Sequence, residues 1–143
     1  MWCMRVIAID YGLRRIGIAQ SDMSKIIAYP LKTIFTDKTM QKTVDNLLLD
    51  IKDTLKETEI ILVGLPLHLD GNESEMSLEV KKFVEILKSK TTIPIKLVDE
   101  RLSSAQVEKD LKNTCYLNSK KRAKMVDPLA ATLLVEDYLR SSF

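Results

Sequence analysis

Acidic residues stand where regular elements of the chain are predicted to end or begin. Asp10 closes the first predicted strand, the neighbours Asp99 and Glu100 close the fifth, and Asp127 precedes the last predicted helix. Ligands of open α/β sheets gather at the carboxyl ends of the parallel strands, so we expect these side chains to converge. Converging carboxylates repel one another unless a cation or a proton intervenes, and hard oxygen ligands favour Mg²⁺ or Mn²⁺. Two such ions about 4 Å apart can activate a water molecule and stabilise the leaving oxygen of a phosphodiester.

Each of these acids also has a purely structural interpretation. Asp10 precedes Tyr-Gly, and aspartate is a common turn residue. Asp99 and Glu100 could pair with Arg101, and Asp127 before Pro128 has the pattern of a helix N-cap. Spacing alone favours the structural interpretation for each residue, and only the combination of acids supports a metal site.

Other residue types that carry catalytic chemistry are scarce. His68 is the only histidine, and Cys3 and Cys115 are far apart without a CxxC pair. The sequence therefore offers no support for a histidine-based triad or a zinc site. We interpret both cysteines as reduced thiols of a cytoplasmic protein.

Basic residues cluster at two places near these acids. Arg14 and Arg15 follow the first strand, and the second cluster precedes Asp127 with Lys120, Lys121, Arg122 and Lys124. Either cluster could contact phosphates, but for either cluster alone the pattern favours a solvated surface. The formal net charge of +2 by itself indicates no partner.

Apolar patterns predict the elements that would position the acids. Alternating or continuous apolar runs predict strands at residues 4–10, 15–20, 26–35, 59–65 and 93–99. Helical spacing predicts helices at residues 39–55, 74–89 and 103–112, and a last helix with Leu129, Ala130, Leu133, Leu134 and Tyr138 on one face. Pro30 interrupts the third strand, which is typical of a broken strand or of a sheet edge. This order predicts an α/β fold in which a mixed sheet, three antiparallel strands followed by βα units, is flanked by helices.

Length and composition are those of one soluble domain covering residues 1–143. The chain has 45% hydrophobic and 29% charged residues, which is ordinary for a globular protein. No apolar run approaches the roughly 18 residues of a membrane span. The N-terminal residues lack the pattern of a signal peptide, so we expect a cytoplasmic protein without a membrane partner.

Segments distributed along nearly the whole chain resemble the YqgF family, also called RuvX or Holliday-junction-resolvase-like proteins. The similar segments, in chain order, are IAIDYGLRRIGIAQSD at residues 7–22, VGLPLHLDGNESE at 63–75, VDERLSS at 98–104 and KKRAKMVDPLAATLLVEDYL at 120–139. Any one of these segments would be a weak signal, whereas the four in order at the family's spacing are a strong one.

The resemblance implies an RNase H-like fold with five strands and a nuclease site that depends on Mg²⁺ or Mn²⁺. Asp10 matches the family's first-strand aspartate, Glu100 the acid after the fifth strand, and Asp127 the aspartate of the C-terminal helix, so these are the expected catalytic residues and metal ligands. The expected substrate-binding residues are Arg14, Arg15, Lys120, Lys121 and Lys124. We also expect Gly12 to permit a sharp turn beneath the metal and Gly17 to relax the hairpin beside it.

The family is assigned chiefly to maturation of the 5′ end of pre-16S ribosomal RNA. Two alternatives stay open: a resolvase that cuts branched DNA, which would need a dimer for symmetric cuts, and a non-catalytic RNA-binding factor of ribosome assembly. We expect a nucleic-acid partner, with the protein a monomer or a weak homodimer.

Two features depart from the expected pattern. Pro128 pushes the residue before it out of the helical conformation, which favours a place for Asp127 at the helix start. The fourth strand ends in Gly64, Leu65 and Pro66 without a carboxylate, where better-known resolvases of this fold carry a catalytic glutamate. Glu100, from the neighbouring strand, would have to replace that glutamate.

Overall fold

The computed structural model describes residues 4–67, 71–72, 74–100 and 128–141. Its strands are β1 (Arg5–Asp10), β2 (Arg15–Ser21), β3 (Ala28–Phe35), β4 (Thr58–Leu65) and β5 (Ile95–Asp99). Its helices are α1 (Met40–Asp50), α2 (Lys52–Leu55), α3 (Glu75–Lys90) and α4 (Leu129–Ser141). The predicted helix at 103–112 lies outside the described residues. Within the described ranges, no helix is long and apolar enough to cross a membrane.

The strands form one mixed sheet in the order β3-β2-β1-β4-β5. β1 pairs antiparallel with β2, and β2 antiparallel with β3, whereas β4 lies parallel to both β1 and β5. The predicted arrangement of a hairpin meander followed by βα units is therefore confirmed. β3 is an edge strand, where Pro30 removes no ladder hydrogen bond from a central position.

The central strand β1 is buried on both faces. Ile7 and Ile9 pack against the core formed with α1 and α3, and Val6 and Ala8 pack against α4. All four of these side chains are fully buried. Because side chains alternate across a strand, Asp10 continues the α4 side of the sheet.

The predicted helix at 39–55 is wrong in one respect, because the structure divides it at Ile51. Thr39 caps α1 by accepting a hydrogen bond from the Lys42 N–H, and Ile51 leaves the helical conformation at φ −112° and ψ 17°. The Ile51 side chain stays buried in the core, so burial continues through the break. A helical apolar pattern does not reveal such an interruption, because the inward side chain satisfies the pattern on either side of it.

Candidate active site at the carboxyl edge of the sheet

Asp10 is the last residue of β1, and it lies on the α4 side of the sheet. Its register partner on β2 is Gly17. The next residue, Tyr11, turns to the opposite side and packs its ring 4.8 Å from that of Phe83, centroid to centroid. Burial of the Tyr11 phenol, and secondarily the negative charge of Glu79, raises its pKa above the ordinary value. The Tyr11 side chain is thus fixed on the side of the sheet that carries α1 and α3. Because side chains alternate along a strand, Asp10 lies on the opposite side, with α4.

Glu100 follows β5 directly and is fully buried. Its N–H donates a hydrogen bond to the carbonyl oxygen of Leu65, at 3.1 Å, which extends the β4–β5 ladder by one step. A Cβ atom added to Gly64 would lie 2.3 Å from Oε1 of Glu100 and 2.7 Å from its Cδ. The Glu100 carboxyl group therefore occupies the space that a side chain on Gly64 would fill.

The β1–β4 register brings this carboxyl group next to Asp10. Ile9 is the register partner of Val63, so Gly64 follows on β4 where Asp10 follows on β1. Neighbouring strands lie about 4.8 Å apart, and register neighbours point to the same side of the sheet. The Glu100 carboxyl group, from the end of β5, therefore lies over Gly64 of β4, on the same side of the sheet as Asp10. β4 itself carries no acid at this position, and the Glu100 carboxyl group lies where a side chain of Gly64 would be.

A glycine also lies on the other side of Asp10. A Cβ on Gly17 would lie 2.9 Å from the Cβ of Pro128 and 3.9 Å from that of Ala131. The first turn of α4 therefore rests directly on the sheet beside Asp10. We expected Gly17 to relax the hairpin, but its φ is not positive, and the close approach of Pro128 is what excludes a side chain there.

Pro128 directly precedes α4. Its carbonyl oxygen accepts hydrogen bonds from the N–H and the Oγ1 hydroxyl of Thr132, at 3.0 and 2.9 Å, in the first turn of the helix. Asp127, the third expected ligand, is the residue before Pro128 and lies outside the described residues. The expected substrate-binding residues of the second basic cluster lie outside them as well: Lys120, Lys121 and Lys124.

The loop between β1 and β2 is held tightly. A Cβ on Gly12 would lie 2.4 Å from the carbonyl oxygen of Arg15, so the expected sharp turn requires glycine there. Thr36, just after β3, donates its N–H to the carbonyl of Arg14 at 3.0 Å and its hydroxyl to that of Leu13 at 2.8 Å. These bonds attach the loop after Asp10 to the end of β3.

Arg14 and Arg15 are both exposed at this end of the sheet. The Arg15 guanidinium lies 5.8 Å from the ring centroid of Phe35, its register partner on β3. Phe35 is 63% exposed, and sequence reasoning did not single it out. Its signal was the alternation at the strand end, since Ile34 points into the core and the large apolar residue after it must point outward.

The donor set of the site fits a hard divalent cation. Asp10 and Glu100 offer only oxygen atoms, and the missing side chain of Gly64 leaves the cradle that holds one of the two carboxyl groups. Within the residues that the structure describes, no group of three or more histidine, cysteine, aspartate or glutamate side chains forms a metal site. A third acidic ligand would therefore have to come from outside these ranges.

Comparison with known families gives a match over nearly the whole chain. The model of the family described as "RuvX: Holliday junction resolvase" matches residues 4–141. A protein of Protochlamydia amoebophila named "Putative pre-16S rRNA nuclease" is 45% identical over 141 residues, which cover 96% of this chain and 93% of that relative. A protein of the same name from Maridesulfovibrio salexigens is 38% identical over 136 residues, covering 95% and 98% of the two chains.

Solved structures with the same fold include two resolvases. T. thermophilus RuvC in complex with a Holliday junction substrate has a TM-score of 0.54 at 16% identity, with 96% of each chain covered. The fowlpox virus Holliday junction resolvase has a TM-score of 0.53 at 13% identity, covering 96% of this chain and 99% of the other. At such low identity these similarities establish the fold alone, and they confirm the predicted RNase H-like architecture.

Proposed function

Since the chain belongs to the RuvX family, we propose that it is a metal-dependent endonuclease that hydrolyses phosphodiester bonds of pre-16S ribosomal RNA during maturation of its 5′ end. The names of the relatives from Protochlamydia and Maridesulfovibrio support this choice of substrate. The observation that carries the catalytic part is the position of the Glu100 carboxyl group, in the side-chain space of Gly64 and beside Asp10.

That observation supports catalysis because it brings two acidic side chains to one edge of the sheet. Converging carboxylates repel one another when both are charged, and a bound cation lowers that repulsion. A structural role would be met more simply by an apolar side chain on β4 in place of Gly64. We therefore assign Asp10 and Glu100 as metal ligands, with Asp127 as the third.

Asp10, Glu100 and Asp127 would hold one or two Mg²⁺ or Mn²⁺ ions, which when bound supply positive charge for the phosphate and lower the pKa of the attacking water. The protein's own contribution is positioning. The burial of Glu100 keeps bulk water away from its carboxyl group, whereas Asp10 is partly exposed and would be accessible to substrate.

Arg14 and Arg15 would bind the phosphates that flank the scissile bond. Both follow Asp10 in a loop that Gly12 and Thr36 hold in place, so their backbone positions are set before substrate arrives. Arginine is suited to this task because its guanidinium donates two parallel hydrogen bonds to a phosphate. Lys120, Lys121 and Lys124, which precede Asp127 in the chain, would bind further phosphates of the substrate.

The decisive experiment compares Asp10→Asn, Glu100→Gln and wild type with Mg²⁺ and with Mn²⁺, on pre-16S RNA and on a four-way DNA junction. We expect both variants to lose cleavage of the RNA, because each removes one negative ligand at nearly constant volume. Asp53→Asn is the control, since Asp53 is an exposed acid far from the site.

The family description makes junction resolution the competing function. Cleavage of the junction alone, by a dimer, would favour it over RNA processing. If wild type and both variants cleave neither substrate yet bind RNA alike, the nuclease proposal is wrong and a non-catalytic binding role replaces it.

A further inference from the structure

We infer that Phe35 and Arg15 form a stacking platform for one unpaired nucleobase of the strand whose phosphate lies at Asp10. The inference rests on the proposed function only in requiring a nucleic-acid substrate. It adds that the substrate is single-stranded beside the cleavage point, and it assigns a binding role to Phe35.

The register of the sheet carries the argument. Arg15 and Phe35 are register partners, while Ile16 and Ile34, the next pair, point into the core with α1 and α3. Arg15 and Phe35 therefore point to the α4 side, the side of Asp10. Two strand spacings across the sheet and two residues along it place the Cα atoms of Asp10 and Phe35 about 12 Å apart.

The helix on this side leaves the platform open. α4 begins just after Pro128, which lies against Gly17, and it runs away from the carboxyl edge. Leu139, near its end, lies with Ile27 around a pocket at the opposite end of β2 and β3. Phe35 lies beyond the start of α4, at the carboxyl end of β3, and is 63% exposed. The described part of α4 thus covers the sheet up to the catalytic edge and not beyond it.

The chemistry of the pair suits an unpaired base. Aromatic rings and guanidinium planes both stack on nucleobases, and every base offers a face for stacking irrespective of sequence. Arg15 also carries the charge that a neighbouring phosphate requires. Bases inside a duplex are already stacked, so this pair discriminates single-stranded from double-stranded substrate.

The backbone that carries the platform is held in place, which lowers the entropic cost of binding. Thr36 follows Phe35 and bonds to the carbonyl groups of Leu13 and Arg14. Leu13, in the loop that Thr36 holds, is a second exposed apolar residue at this end of the sheet, at 66%. An exposed phenylalanine by itself is unremarkable on a protein surface, and the inference depends on its position beside the acids and arginines.

The test measures binding in an Asp10→Asn background, where cleavage is blocked, with a single-stranded RNA that contains 2-aminopurine and with a duplex of equal length. We expect Phe35→Leu to weaken single-strand binding by about five- to 150-fold, the range of one base–aromatic stack. Phe35→Trp should restore binding, and duplex affinity should change little. Quenching of 2-aminopurine on binding should be present with Phe35 or Trp and lost with Leu.

Ile26→Ala is the matched control, because Ile26 is 75% exposed and apolar but lies at the opposite end of the sheet. Equal effects of Phe35→Leu and Ile26→Ala, or an equal loss for duplex and single strand, would overturn the platform. If the wild-type protein cleaves RNA but Phe35→Leu leaves the quenching unchanged, the platform is refuted and the nuclease proposal stands. Quenching that depends on Phe35 in a protein that cleaves nothing would support it while refuting the nuclease proposal.

Discussion

Substituting Gly64 by alanine tests whether the carboxyl group of Glu100 matters where it lies. The new Cβ would stand 2.3 Å from Oε1 and 2.7 Å from Cδ of Glu100, closer than the 3.0 Å that real Cβ atoms respect. The carboxyl group must retreat by about 1 Å to regain an ordinary van der Waals separation. Because Glu100 is fully buried, its surroundings must yield as well.

Two magnitudes follow from this displacement. Overpacking a buried site by one methyl group costs about 1–3 kcal/mol of unfolding free energy. A catalytic group displaced by about 1 Å can lower the rate by roughly 100-fold. We therefore expect Gly64→Ala to remain folded, to lose about two orders of magnitude in kcat, and to require more Mg²⁺ for half-maximal cleavage, with little change in KM for RNA.

The assay combines single-turnover cleavage over a range of Mg²⁺ concentrations with urea denaturation of the same preparations. The matched partner is Glu100→Asp, whose side chain is one methylene shorter. If the collision between the alanine Cβ and the carboxyl group causes the defect, the double variant will show less destabilisation than the sum of the two single variants.

Strict additivity of the two stability changes would show that Gly64 acts for another reason than the space that Glu100 needs. Full activity and an unchanged Mg²⁺ requirement in Gly64→Ala would be more damaging, because they would remove Glu100 from the catalytic site altogether.

Three further predictions concern the surroundings of Asp10. Gly17→Ala places a Cβ 2.9 Å from that of Pro128, so we expect a loss of about 1–3 kcal/mol in urea denaturation, and unchanged stability would contradict the contact. Thr36→Val removes the hydroxyl hydrogen bond to the β1–β2 loop, which should cost about 1 kcal/mol and weaken RNA binding, whereas Thr91→Val should spare binding. The raised pKa of Tyr11 means that the unfolded chain ionises first, so this group's stabilisation is complete below about pH 10 and is lost as the pH rises further. Stability curves of wild type and Tyr11→Phe should therefore diverge only at alkaline pH, and parallel curves would refute the shift.

Local patterns in the sequence predicted most of the architecture. Alternation and continuous apolar runs located all the described strands, and Pro30 correctly indicated that β3 is an edge strand. The break at Ile51 escaped prediction, because the side chain is buried whichever way the backbone around it turns. Apolar periodicity reports which side chains face the core, and it is insensitive to a short departure of the backbone from the helix.

For the candidate site, too, some features were predictable from the sequence and others required the tertiary structure. Asp10 ends a predicted strand and Glu100 follows one, and strand ends of one direction meet at one edge, so the sequence could predict that both lie there. The choice of Glu100 over Asp99 came from the family resemblance. That Glu100 fills the side-chain space of Gly64, and that Phe35 stands on the same side as Asp10, followed only from strand pairing. Residues that lie far apart along the chain become neighbours through the register of separate strands. Spacing in the sequence does not contain that register, because the packing of both sheet faces selects it.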